Sequence, residues 1–97
     1  MPTYIALIDF TENGIKHIAD SPARADAFIA RAEQAGAKVK DLYWTSGVHD
    51  GVLVLEAPDD ATASAVFLSL ARAGNVRTQT MRAYGKDEMQ DIVSRLT

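Results

Sequence analysis

The sequence has no cysteine, no long apolar run and no excess of positive charge. The absence of cysteine excludes a disulfide framework, a thiolate nucleophile and any zinc or iron–sulfur site built on thiolates. The longest uncharged run with apolar weight, Ala61–Ala71, is far shorter than the roughly 18 residues that a membrane-spanning helix needs. The formal net charge of −3 argues against a nucleic-acid-binding protein that depends on a general basic surface.

The remaining composition is typical of one globular domain. Hydrophobic residues make up 47% of the 97 positions and charged residues 24%, so we expect a single domain over residues 1–97. Met1-Pro2 leads directly into a strand-like run, without the basic and apolar regions of a signal peptide. We therefore expect a cytoplasmic protein that does not enter a membrane.

The hydrophobic pattern predicts four strands and three main helices. The strands are rich in β-branched and aromatic residues and cover Thr3–Phe10, Val39–Ser46, Val52–Glu56 and Val76–Ala83. The helices have apolar stripes and cover Ser21–Ala35, Pro58–Gly74 and Lys86–Leu96, with a short helical turn after Thr11. Ser21 is expected to cap the first main helix, since serine is a favoured N-cap and Pro22 fits the first helical position.

This order of elements predicts the fold class. A β-α-β-β-α-β series with an antiparallel hairpin in the middle is typical of the ferredoxin-like plait. We expect an α+β protein with a four-stranded antiparallel sheet, two helices on one face and an extra C-terminal helix.

Both faces of this sheet are predicted to be apolar. Strand one has Tyr4, Ala6 and Ile8 on one side, and Ile5 and Leu7 on the other. Two helices cover only one face, so the other needs a second cover. We expect a second copy of the chain to supply it, which gives a homodimeric barrel. The alternative is that the C-terminal helix folds back over the open face.

The fourth strand is more polar than the other three. Thr80 and Arg82 share one side of it, and Arg77 lies on the other. Such residues are typical of a solvated edge, and they are also typical of a cavity that holds a small anionic ligand. Trp44 is a candidate wall for such a cavity, although aromatic residues in strands more often belong to a core or an interface.

His49 and Asp50 are the candidate catalytic residues. A histidine next to a carboxylate can act as a general base near neutral pH. The alternative is structural, because Asp50-Gly51 meets the backbone demands of a turn and His49 can be an exposed loop residue. The two histidines of the chain lack metal-ligand spacing, so we expect no metal site and no cofactor. Glu56 needs a partner if it is buried, and Arg24, Arg77 and Arg82 are candidates.

The chain resembles the GYD-domain family along nearly its whole length. The resemblance is carried by PTYIALIDFTENGI at the start, SPAR at Ser21–Arg24, YWTSG at Tyr43–Gly47, VLEAPDD at Val54–Asp60 and GNVRTQTMRAY at Gly74–Tyr84. The Gly-Tyr-Asp element of the family corresponds to Gly47-Val48-His49-Asp50, in which His49 stands at the tyrosine position. The resemblance implies a dimeric α+β barrel, and it implies no particular reaction.

Three functions are therefore considered. The first is a homo-oligomeric domain that binds a small molecule through Trp44, Arg77, Thr80 and Arg82. The second is a cofactor-independent enzyme of the isomerase or small-oxygenase type, in which His49 or Asp50 is the base and an arginine stabilises an anion. The third is an assembly or interaction protein without a ligand. In each case the expected partner is a second copy of the chain, and neither nucleic acid nor a membrane is expected.

Overall fold

Four strands and four helices follow one another in the predicted order. The computed structural model describes all 97 residues, Met1–Thr97. The strands are β1 (Thr3–Phe10), β2 (Lys38–Trp44), β3 (Gly51–Glu56) and β4 (Val76–Ala83). The helices are α1 (Glu12–Lys16), α2 (Ser21–Gln34), α3 (Asp60–Arg72) and α4 (Lys86–Ser94), with a short 3-10 turn, Ile18–Asp20, before α2. None of these helices has the length and apolar character that crossing a membrane requires.

The four strands form one antiparallel sheet in the order β2-β3-β1-β4. The two central strands, β1 and β3, are separated in the chain by α1, α2 and β2. This arrangement confirms the α+β class and is consistent with the predicted ferredoxin-like plait.

The core lies between the sheet and the two long helices. Alternate residues of β1 and β3 face α2 and α3, because successive side chains of a strand point to opposite faces. The largest fully buried side chains are Leu53 and Leu55 of β3. The buried residues packed around them include Tyr4, Ala6 and Ile8 of β1, Phe28 and Ala32 of α2, and Ala63, Val66 and Phe67 of α3.

The opposite face of the sheet, which we call the open face, is apolar and is not covered by a helix. Four apolar side chains of the central strands are half-buried on this face, where only neighbouring strands surround them: Ile5, Leu7, Val52 and Val54. Met81 of β4 and Tyr43 of β2 are 47% and 61% exposed. The prediction that both faces are apolar is thus confirmed.

Helix α4 does not cover the open face. No residue of α4 is buried, and Met89 and Val93 on its apolar side are each half exposed. The alternative in which the C-terminal helix folds back over the sheet is therefore wrong for this chain.

Strand β2 contains an irregularity that the sequence did not reveal. Its register against β3 shifts between Val39 and Asp41, so the side chains on either side of this shift do not alternate between the two faces as they do in a regular strand. Val39 pairs with the buried Leu55 and faces the helices, whereas Tyr43 pairs with Val52 on the open face. Regular alternation would place Val39 and Tyr43, four residues apart, on the same side of the strand, and the β-bulge places them on opposite sides because it inserts one residue between them.

Gly14 in α1 lies at a close approach between two backbone segments. A Cβ atom at this position would lie 1.9 Å from the carbonyl oxygen of Asn75. That same oxygen accepts a hydrogen bond from the N–H of Thr11 at 3.1 Å, and Thr11 caps α1 by accepting from the N–H of Gly14. The glycine thus allows the first helix to lie against the segment that leads into β4.

We expect Gly14→Ala to destabilise the protein by about 1–3 kcal/mol, because the new methyl group overpacks a contact with backbone. Helix propensity alone predicts the opposite sign, since alanine is favoured over glycine within a helix. The measurement is urea unfolding followed by circular dichroism. Gly85→Ala is the control for added volume: the nearest atom to its Cβ lies 3.9 Å away, so it should lose only the N-cap preference for glycine over alanine. A Gly14→Ala variant as stable as the parent would contradict the close approach.

Candidate functional site

A cavity of about 280 Å³ lies between α2 and one end of the sheet. It is formed where β1 and β2 end and where β3 and β4 begin, so its walls come from segments far apart in the sequence. Twelve of its 18 lining residues are hydrophobic. Its lining includes Ser21, Arg24, Phe28, Trp44, Asp50 and Val76.

Trp44 forms one wall of this cavity. Its indole N–H donates a hydrogen bond to the hydroxyl oxygen of Ser21 at 3.0 Å. Ser21 is buried and is the first residue of α2, whose N-cap is Asp20. The prediction that Ser21 caps this helix is therefore wrong, because its side chain accepts from Trp44 on the neighbouring strand.

Asp50 fixes the loop between β2 and β3 to the end of β1. Its carboxylate accepts the backbone N–H of Phe10 at 2.9 Å, and its own N–H donates to the carbonyl of Ile8 at 2.8 Å. The Asp50 carbonyl accepts from the N–H of Thr45 at 2.9 Å, which closes the loop. Asp50 also lines the cavity, so it is at the same time part of the scaffold and part of the site.

His49 points away from the cavity. Its Nδ1 lies 3.2 Å from the carboxylate of Asp9, and Asp9 pairs in register with Arg77 on the open face. His49 is not among the residues that line the cavity. The two candidate catalytic residues are thus adjacent in the chain and lie on different sides of the sheet.

The polar residues of β4 also lie outside the cavity, to whose walls this strand contributes only Val76. Arg77 is exposed on the open face beside Asp9. Thr80 is exposed on the helix-facing side, opposite Ala6 of β1. Among the ligand-binding residues expected from the sequence, the structure places only Trp44 at the cavity.

Arg82 belongs to a separate cluster at the opposite end of the sheet. Its guanidinium carbon lies 5.7 Å from the ring centroid of Tyr4 and 4.6 Å from that of Tyr84. Its Nη2 lies 3.2 Å from a carboxylate oxygen of Glu88, in the first turn of α4. Arg82 therefore links the edge of the sheet to the C-terminal helix.

Hydrogen bonds in this cluster shift two pKa values in opposite directions. The hydroxyl of Tyr4 donates to the carboxylate of Asp60, and this hydrogen bond raises the pKa of Tyr4. The backbone N–H of Gly85 donates to the carboxylate of Glu88, and together with Arg82 it lowers the pKa of Glu88. Both shifts stabilise the protonation states that are present at neutral pH.

Arg24 occupies a different place from the one expected from the sequence. Glu56 lies 3.9 Å from Lys40, so the prediction that an arginine pairs with it is wrong. Arg24 instead lines the cavity from α2, and its Nη1 donates to the carbonyl of His17 at 2.9 Å. Its position three residues after the start of a helix gave no signal of this role, because the cavity is assembled by packing between distant segments.

We expect Asp50→Ala to lower the free energy of unfolding by about 1–3 kcal/mol, because the N–H of Phe10 loses its acceptor. Asp50→Asn retains an oxygen that can accept this bond, so it should lose clearly less. Chemical denaturation of both variants measures the difference. Equal stability of Asp50→Ala and the parent would show that the loop is held by its other contacts.

Comparisons with known proteins identify the family of this chain. A family model described as the GYD domain matches residues 4–93. A relative from Thermus thermophilus is 34% identical over 97 residues, which cover 99% of each chain, and it is called glutamine synthetase and cystathionine beta-lyase binding protein. With nearly the whole chain matched in both comparisons, the protein belongs to the GYD-domain family.

Proposed function

We propose that this chain is an interaction protein that associates with itself and binds a metabolic enzyme. The relative from Thermus thermophilus supports the second part, since its name describes a protein that binds two enzymes. Glutamine synthetase and cystathionine beta-lyase are therefore the first candidate partners. The proposal requires both proteins to share a compartment, and the cytoplasm is the one expected from the sequence.

The observation that carries this proposal is the uncovered open face. It is a contiguous apolar surface built from the two central strands and flanked by Met81 and Tyr43. Contiguous apolar surface of this kind marks sites of protein association, because covering it removes it from water. A second copy that packs its own open face here would give the closed dimeric barrel expected from the sequence.

The apolar side of α4 supplies a second surface, suited to the enzyme partner. Its residues recur at helical spacing and are Met89, Ile92 and Val93, and Leu96 follows just beyond the end of the helix. An amphipathic helix without a partner in its own chain is a common means of docking into a groove of another protein. Self-association through the sheet would leave this helix available to the enzyme.

We expect Met81→Glu to convert the homo-oligomer into monomers, because the substitution introduces a charge into an apolar interface. The measurement is native mass spectrometry, supported by light scattering during gel filtration. Thr80→Glu is the matched control: it adds the same charge at the next residue of the same edge strand, on the helix-facing side. A monomeric parent protein, or equal effects of the two substitutions, would contradict association through the open face.

We expect Val93→Glu to weaken binding to the partner enzyme by at least about tenfold and to leave the oligomeric state unchanged. Isothermal titration with purified glutamine synthetase and cystathionine beta-lyase from the same organism measures the affinity. Gln90→Glu adds the same charge to α4 away from the apolar residues and should retain binding. If neither enzyme binds the parent protein, the proposed function fails; if Val93→Glu breaks the oligomer, α4 belongs to the self-association surface.

The cavity favours a second function, the binding of a small molecule. Its volume is close to the lower end of ligand pockets, and its lining is mainly apolar with a few polar groups. We favour binding over catalysis there. The Asp50 carboxylate already accepts a backbone N–H, and His49 faces Asp9 outside the cavity.

A further inference from the structure

The guanidinium group of Arg24 is incompletely paired. Its Nη1 donates to the carbonyl of His17, whereas its Nη2 is buried and has no hydrogen-bond partner. No carboxylate of the chain pairs with it, since the four ion pairs of the structure use other residues. A buried donor without an acceptor is costly, and a charged one more so. Nη2 has almost no accessible surface, so a ligand in the cavity would have to draw the guanidinium group towards itself to accept this hydrogen bond, and that pairing would remove the cost.

The surroundings of Arg24 define the rest of such a ligand. Arg24 shares the cavity with apolar side chains such as Phe28, Leu53 and Val76. The only carboxylate at the cavity, that of Asp50, accepts from the N–H of Phe10. Arg31 adds a second positive charge at the walls. The balance of charge therefore favours an anion, and the apolar walls favour an uncharged hydrophobic body.

The start of α2 adds to the attraction for an anion. Ser21, the first residue of this 14-residue helix, lines the cavity. The helix dipole places partial positive charge at this end, although the N–H of Ser21 donates to the carbonyl of Ile18 and Pro22 has no N–H. The Ser21 oxygen accepts the indole N–H of Trp44, which leaves its own O–H as a further donor.

We propose that this cavity binds a small organic carboxylate with an apolar body, and that Arg24 pairs with the carboxylate through its guanidinium group. The inference rests on the small-molecule function proposed above and specifies its ligand class. Arg24 recognises the charge, because a guanidinium–carboxylate pair combines hydrogen bonding with opposite charge. Trp44 and the apolar walls contact the body of the ligand.

The test compares two probes of the same shape, 3-phenylpropionate and its neutral amide, 3-phenylpropionamide. Trp44 is the only tryptophan and lines the cavity, so its fluorescence reports binding, and calorimetry gives the affinity. We expect the carboxylate to bind at least about tenfold more tightly than the amide. Arg24→Gln should abolish this preference and leave the affinity for the amide unchanged. Arg72→Gln removes the same charge from an exposed residue outside the cavity and should retain the preference.

The possible outcomes separate the inference from the function on which it rests. Equal binding of the two probes to the parent protein would overturn the anion site and support small-molecule binding. If Arg24→Gln weakens both probes equally, Arg24 acts only on the structure of α2 and the inference is wrong. If neither probe binds at millimolar concentration, both the inference and the small-molecule function are contradicted. Arg24→Lys, which keeps the charge, should retain part of the preference and guards against a folding defect in Arg24→Gln.

Discussion

Two helices cannot cover both faces of a four-stranded sheet, and the main features of this protein follow from that constraint. The central strands β1 and β3 have apolar side chains on both faces, but α2 and α3 lie on only one. On the covered side, alanines such as Ala6, Ala32 and Ala63 allow the helices to approach the sheet closely. On the other side, the same strands present valine, leucine and isoleucine that no part of the chain buries completely. The chain thus has one buried hydrophobic core and one apolar sheet face that remains partly exposed.

The cavity arises from the same arrangement of layers. Close packing between the helices and the sheet is centred on Leu53 and Leu55 of β3. Towards the end of the sheet, α2 presents small residues, Ala25 and Ala27, and the polar Ser21 and Arg24. These side chains do not fill the space above Trp44 and Val76. The site therefore lies where the packing of the core ends, beside the loop that Asp50 ties to β1.

Much of the fold was predictable because it depends on local pattern. β1 and β4 begin and end at the residues that the hydrophobic pattern predicts. Helix α3 begins after Asp59, an acidic N-cap residue that precedes an apolar stripe, as is typical of helix starts. The bulge in β2 was not predictable, since alternation of side chains gives the register only for a regular strand. The role of Arg24 was also hidden, because it depends on which buried atoms find partners after distant segments pack. The site residues expected on β4 are separated by the geometry of the sheet, which brings Trp44 and Asp50 together and leaves Arg77 and Arg82 elsewhere.

The bulge in β2 also affects how copies of this chain can assemble. β2 and β4 are the two edges of the sheet, and an exposed edge is a template for adding strands from other molecules without limit. In β2 the irregular register coincides with Lys38, Lys40 and Asp41, so this edge is both distorted and charged. Strand addition there is unfavourable, whereas face-to-face packing of two sheets is self-limiting. One extra residue in β2 thus works against fibre-like strand addition at this edge of the sheet.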